Sequence, residues 1–352
     1  MGASIKQVHD GVYRVTTSQS VEFGEVVSKV HCYLIEVSRG RYDLVDTGWA
    51  RSADETARAI RDALGDEAAI DRLLITHLHP DHYGAARSIA GAFSSKVSYH
   101  RKENVHLRSY YNVVRKGRAA AADWLGFPID VFETVKSAID ASRSLLPRPD
   151  SYLAEGERIP SRSGAWRVIH TPGHSPGHTC LYRASDKTLI SGDHILPGET
   201  PNVAFYPVPG YHALESYLAS LAKVKRLEPS AALPGHGNVI RDVPSRVQTI
   251  SLHHKERLEE VLGGLAGGAR SVAEVTSFVK WSRGSYESLG HVNRWLAILE
   301  TISHLEFLVE CGAAERVRGP GRMYRLTGHN WSPVEKAVDR IVNPRIVPHG
   351  PS

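Results

Sequence analysis

The stretch LLITHLHPDHYGAA, residues 73–86, constrains the fold more than any other part of the chain. An apolar, strand-like run leads into a segment of helical composition, and His77, His79, Asp81 and His82 crowd the junction. Imidazole nitrogens and carboxylate oxygens are donors that zinc and iron accept readily. A strand end is rigid enough to hold such donors to a coordination geometry. The cluster therefore predicts a buried strand whose carboxyl end opens on a metal site. By itself it leaves the number of ions open.

Nineteen histidines stand in 352 residues, and they are unevenly spread. Three further groups carry metal-type side chains: TPGHSPGH (His174, His178), SGDH (Asp193, His194) and LPGHG (His236). Each falls at a predicted strand end or in a loop. Glycine and proline beside His174 and His236 suit sharp turns that aim a side chain into a shared cleft.

The first fifty residues predict antiparallel strands at GVYRVTT, KVHCYLIEV and RYDLVDTG, the last closed by turn residues. SADETARAIRDALG predicts a helix with Ser52 as N-cap, and a second helix runs from the cluster through HYGAARSIAGAF. Residues 101–149 change character: alanine, tyrosine and charge at helical spacing indicate a helical insertion, of the kind that forms lids. Strands resume at RIPSRSGAWRVIH, GHTCLYRA and TLISGD; a helix at YHALESYLASLAKVKRL and a strand at AALPGHG follow. After about residue 245, three helices and a Gly-Pro-Gly hairpin, AAERVRGPGRMYRLT, predict a winged-helix-like module. The expected division is a catalytic domain at 1–245 and a C-terminal domain with tail at 246–352.

In their order, HxHxDH, TPGHSPGH, SGD and PGHG resemble the metallo-β-lactamase superfamily, over residues 5–250. The resemblance implies an α/β fold, a four-layer αβ/βα sandwich. It also implies two adjacent divalent ions: His77, His79 and His174 on one, Asp81, His82 and His236 on the other, and Asp193 bridging. Zinc is the expected metal, with iron or manganese as alternatives. A divalent ion lowers the pKa of bound water from about 15.7 to about 7, and two ions roughly 3.5–4 Å apart also polarise the substrate oxygen. Asp81 would orient the nucleophile or receive its proton. His178 and His194, each beside a ligand, suit support more than coordination. Asp46 is a turn residue or such a support, and His31 stands where many relatives place Asn on the second strand.

For the substrate the intact motifs and the C-terminal module resemble the glyoxalase II and lactamase-beta-like branches, which implies a hydrolase of a thioester, lactone or other ester. Arg101, Lys102, Arg108, Arg115, Lys116 and Arg118 face one acid, Glu103; Arg316, Arg318, Arg322 and Arg325 face Glu315. Such clusters suit the phosphates of a CoA thioester or an acidic carrier protein. Equally, they suit an RNA backbone, with Tyr110, Tyr111 and Trp124 to stack bases, or a merely solvated face. A metal-dependent ribonuclease or phosphodiesterase is thus the alternative; a mononuclear iron persulfide dioxygenase fits less well, because His82 and His236 complete a second site. Tyr206 and Tyr211, in the proline-rich stretch 197–212, are candidate donors to an oxyanion. With no apolar segment long enough for a bilayer and no apolar leader, a cytoplasmic protein without membrane contact is expected. Cys32, Cys180 and Cys311 lack ligand spacing and suit reduced thiols. A homodimer is compatible with the tail.

Overall fold

The computed structural model describes residues 3–20, 27–115, 132–133, 136–137, 140–141, 145–146, 148–319, 321–328 and 331–343. Its first sheet has seven strands in chain order: β1 (Ser4–His9), β2 (Val12–Ser20), β3 (Val27–Ser38), β4 (Arg41–Val45), β5 (Ala69–Ile75), β6 (Lys96–His100) and β7 (Ser151–Leu153). The hairpins β1 to β4 are antiparallel, and β4 to β7 run parallel. The second sheet comprises β8 (Arg158–Ile159), β9 (Trp166–His170), β10 (Thr179–Arg183), β11 (Thr188–Gly192) and β12 (Ala231–Pro234), in the order β12-β11-β10-β9-β8.

Strand β5 shows why the run before the histidines is apolar throughout. Leu74 faces the second sheet, in a cluster with Val12, Tyr33, Ile35, Trp166, Val168, Leu181 and Ile190. Leu73 and Ile75 point the other way, against helices α1 (Ala53–Leu64) and α3 (Ala86–Phe93). A strand buried on both faces has no polar side to show. The outer face of the second sheet packs under helix α5 (Ala213–Lys225). The layers are therefore αβ/βα, as the family resemblance implies.

Two local expectations shift. Ser52 precedes α1, but its side chain makes no capping hydrogen bond, because a 3-10 turn at Ala50–Ser52 runs directly into the helix. The helix after the cluster is broken in two, α2 (Pro80–Tyr83) and α3, separated by Gly84 and Ala85. At Gly84 a Cβ would lie 2.2 Å from Pro80 O and 2.7 Å from Ala50 N, so only glycine lets this turn dock on the 48–50 loop.

Helix α4 (Glu103–Arg115) opens the expected insertion; Lys116, Arg118 and Trp124 lie outside the described residues. The C-terminal region runs α6 (Val243–Gly264), β13 (Arg270–Ser271), α7 (Val272–Phe278), α8 (His291–Glu310), β14 (Ala314–Val317), β15 (Met323–Leu326) and α9 (Ser332–Val342). A Ser271–Glu274 capping box starts α7, and the three strands form a sheet ordered β13-β15-β14. Residues 297–308 of α8 are all buried. Their apolar side chains join those of α5, α6 and the second sheet's outer face in one cluster. The expected boundary at 245 falls in the first turn of α6. Among the described residues, no helix is long and apolar enough to cross a membrane.

Candidate metal centre

The loops that follow β5, β9, β11 and β12 meet at one end of the sandwich, and their donors form two groups. His77, His79 and His174 make one; Asp81, His82, Asp193 and His236 make the other; within each, one donor atom per residue lies within 4.8 Å of the rest. His79 Nδ1 is 3.0 Å from His77 Nε2 and 2.9 Å from His174 Nε2. Asp193 Oδ2 stands between the groups, 3.4 Å from His82 Nε2, 3.5 Å from His236 Nε2 and 3.8 Å from His174 Nε2.

Neighbouring hydrogen bonds fix which ring nitrogens carry protons. Thr76 Oγ1 donates to Asp46 Oδ2 at 2.9 Å, so it accepts from His77 Nδ1 at 3.0 Å. His174 Nδ1 donates to Asn202 O at 2.9 Å and His236 Nδ1 to Lys29 O at 2.8 Å, while His82 Nδ1 donates to Asp46 Oδ2 at 2.8 Å. Four Nδ1 protons thus point outward and four Nε2 atoms point inward, where they meet carboxylates and one another. Such convergence is repulsive unless a metal ion lies among the donors or, on His82 and His236, a proton shared with the carboxylates takes its place. His82 Nε2 and Asp193 Oδ1 are buried without a hydrogen-bond partner, which a cation would supply. Gly235 leaves the space: a Cβ there would lie 2.6 Å from both Asp193 Oδ1 and His82 Cε1. The residues present fit a bound metal.

The two groups differ electrostatically. Burial, reinforced by the surrounding imidazoles, holds His77 well below the usual histidine range; burial also lowers His174, against the pull of Asp193. Those rings are neutral and ready to donate lone pairs. In the second group burial is outweighed by carboxylates: Asp193 and Asp81 push His236 up to about 9, and the same pair with Asp46 raises His82 well above its ordinary value. Burial raises Asp81, but His82 and His236 bring it down to about 2.

Other side chains hold the loops in place. Asp46, with a left-handed φ of 59°, ends β4 and accepts from Thr76 N at 2.8 Å as well as from His82 and Thr76 Oγ1. His178 Nε2 accepts from Asp193 N at 3.2 Å, and its Nδ1 meets Thr171 Oγ1 at 2.8 Å. His31 lies on β3, the third strand; it contacts Thr16 Oγ1 and bonds Gly237 O at 2.8 Å, next to His236. His194 is buried against Tyr217, outside both donor groups, with its pKa lowered to about 3 by burial.

Tyr206 donates its hydroxyl proton to His174 O at 2.6 Å, and its ring is buried. That commitment leaves no proton for an oxyanion in this arrangement. The Tyr211 hydroxyl is also buried, and the two rings lie 6.1 Å apart. The sequence reading missed Glu103 as a site element. Its Oε2 accepts from Leu78 N at 2.7 Å, and its Oε1 accepts from Ser175 Oγ and Gly177 N, each at 2.6 Å. One buried carboxylate therefore ties the loop of His77 and His79 to the loop of His174.

A profile of the metallo-beta-lactamase superfamily matches residues 26–236. The Beta-lactamase-like protein 2 homolog of Drosophila melanogaster is 30% identical over 230 residues, 64% of this chain and 64% of that protein, so the chain spans under two thirds of that relative. A probable metallo-hydrolase of Bacillus subtilis is 27% identical over 238 residues, 64% of this chain and 84% of that one. Among solved structures, a metallo-beta-lactamase family protein from Thermus thermophilus superposes with a TM-score of 0.72 at 27% identity, covering 91% of this chain and 100% of the other. By sequence, by layered fold and by its donor groups, the chain belongs to the metallo-beta-lactamase superfamily.

Proposed function

We propose that the chain is a dinuclear metal-dependent hydrolase of an acyl bond: a thioester, a lactone or another ester. The observation that carries this is the set of inward Nε2 atoms of His82, His174 and His236 around Asp193, which faces both donor groups. In this reading His77, His79 and His174 hold one ion, Asp81, His82 and His236 hold the second, and Asp193 is shared. Nitrogen and oxygen donors suit zinc, with iron or manganese as alternatives. Bound ions would lower the pKa of water and polarise a carbonyl oxygen.

The protein's own part is to aim. Asp81 is held ionised by His82 and His236, and its side chain is 18% exposed, so its carboxylate is placed to orient a nucleophile. Support for an acyl substrate comes from a relative named atrochrysone carboxyl ACP thioesterase, of Aspergillus fumigatus, 24% identical over 253 residues, 71% of this chain and 47% of that one. A CoA or carrier-protein thioester would bring a phosphate toward the exposed Arg101, Lys102, Arg108 and Arg115. The C-terminal arginines suit this less: Arg316 and Arg322 pair with Glu306, and Arg325 with Glu315. We place this activity in the cytoplasm.

Metal analysis of the purified protein, followed by a panel of thioesters, lactones and RNA, tests the proposal. The expected result is two ions per chain and acyl hydrolysis that Asp193→Ala abolishes. One iron per chain, or RNA cleavage with no acyl activity, would overturn it.

A further inference from the structure

We infer that the C-terminal helix α8 is a working part of the first metal site: through Asn202 and Glu300 it sets the orientation of His174. The inference rests on the reading of His174 as a ligand.

The segment 202–206 lies between the His174 loop and α8 and is bonded to both. Toward the loop, Asn202 O accepts from His174 Nδ1 at 2.9 Å and Tyr206 donates to His174 O at 2.6 Å. These two bonds grip the ring and the backbone of the same residue. Toward the helix, Asn202 Nδ2 donates to Glu300 Oε2 at 2.7 Å and to Leu296 O at 3.4 Å, and Phe205 N donates to Leu299 O at 2.9 Å. His174 is thus held by a segment that α8 itself holds.

Glu300 is the unexpected member. It lies in a stretch of α8 buried on every side, where a carboxylate is costly unless charge and hydrogen bonds compensate it. Compensation comes from α6: Arg257 Nη1 lies 3.7 Å from Glu300 Oε1, and its guanidinium stacks 4.3 Å over the Trp281 ring. An apolar residue would pack there at less cost. A carboxylate accepts from Asn202 Nδ2, and so fixes the residue whose carbonyl orients the His174 ring. Outer partners of this kind set the tautomer and direction of a metal-binding imidazole, and their loss lowers metal affinity about 10–100-fold. Asn202 and Glu300 are positioning residues on this account. His77 and His79 are presented from the loop after β5 instead, so the effect belongs to His174.

Cobalt(II) titration of the full-length, metal-free protein tests this, with the d–d absorption band as readout and thermal melting of the metal-free forms as the control for folding. Asn202→Ala and Glu300→Ala are each expected to weaken one of two cobalt ions about 10–100-fold and to alter its band, leaving the other ion unchanged. Glu300→Gln keeps a carbonyl that accepts from Asn202 Nδ2 and is expected to restore wild-type binding. If Glu300→Ala melts early, Asn202→Ala decides alone, since it leaves the backbone acceptor of His174 and the Arg257 pair in place. Wild-type cobalt binding in Asn202→Ala, beside loss of one ion in His174→Ala, would overturn the inference and leave the site reading standing. Failure of Glu300→Gln to rescue would overturn it too. Two ions retained in His174→Ala would remove the site reading, and the inference with it.

Discussion

A carboxylate shut away from water needs donors for both oxygens, and Glu103 has them: Leu78 N on one side, Ser175 Oγ and Gly177 N on the other. Gly177 is part of the fit, because a Cβ there would sit 2.7 Å from Glu103 Cγ. Glutamine has the same shape but one acceptor, so its amide would face an N–H or hydroxyl donor with another donor. Leaving a buried donor unsatisfied costs about 1–3 kcal/mol. Glu103→Gln should therefore lose at least that much stability in urea unfolding and bind metal more weakly, nearly as badly as Glu103→Ala. A Glu103→Gln protein with wild-type stability and metal affinity would refute the role. The contrast with the seven donors explains what could be read from the sequence. Metal donors declare themselves, because coordination accepts few residue types and the motifs keep them close along the chain. Glu103 is the lone acid in a basic stretch, and Asn202 and Glu300 lie 98 positions apart. Their work depends on which backbone they meet, and no spacing shows that.

At the scale of elements, the strands around the site, β5 and β9 to β12, were legible because buried apolar runs are local, whereas β1, β7 and β13 were not placed. Junctions were harder. The helix after the histidine cluster was legible as a helix, but its break at Gly84 arises from contact with a loop more than thirty residues earlier. There Ala85 N donates to Gly48 O at 3.0 Å, and Thr47 N donates to His82 O at 2.7 Å. Those bonds seat the turn that carries Asp81 and His82. A methyl group at Gly84 would meet backbone atoms, which cannot rotate away as a side chain does. Gly84→Ala is thus expected to cost about 1–3 kcal/mol by overpacking and to weaken metal binding with it. Equal melting temperatures for variant and wild type would show that the turn tolerates the displacement. Helix α8 illustrates the opposite limit. Its helical spacing was plain, yet its burial on every side follows only from its neighbours; residues 297–308 present no free face to a DNA groove.

For the whole molecule, two features tie stability to solution conditions. The first is the buried pair on α6 and α8. His254 Nδ1 lies 3.2 Å from His304 Nε2, and His304 Nδ1 donates to Glu300 O at 2.8 Å. Burial lowers His304 to about 3, while an unfolded histidine titrates near about 6.5. Between those values the unfolded chain holds a proton that the folded one does not. Stability is complete above the unfolded pKa and falls as pH drops, by about 1.4 kcal/mol per unit for one such residue. From pH 7 to 5, His304 alone should remove about 2 kcal/mol, seen in urea midpoints, and His304→Gln should shrink the loss by that amount. An unchanged loss in that variant would place the proton elsewhere. The second feature is the origin of the donors. His77, His79, Asp81 and His82 follow β5 of the first sheet, whereas His174, Asp193 and His236 follow β9, β11 and β12 of the second. Ions held by both sets would staple the two sheets together at the end where the loops meet. An ion at about 1,000 times its dissociation constant stabilises the folded state by about 4 kcal/mol. Chelation of two such ions should accordingly lower the melting temperature by roughly 11 °C, at an unfolding entropy of about 2.1 cal/mol/K per residue. Restoring zinc should reverse the drop, and Asp193→Ala should show little of it. A melting temperature indifferent to chelator would mean that the sheets hold together without metal and that the donor groups do not bind it tightly.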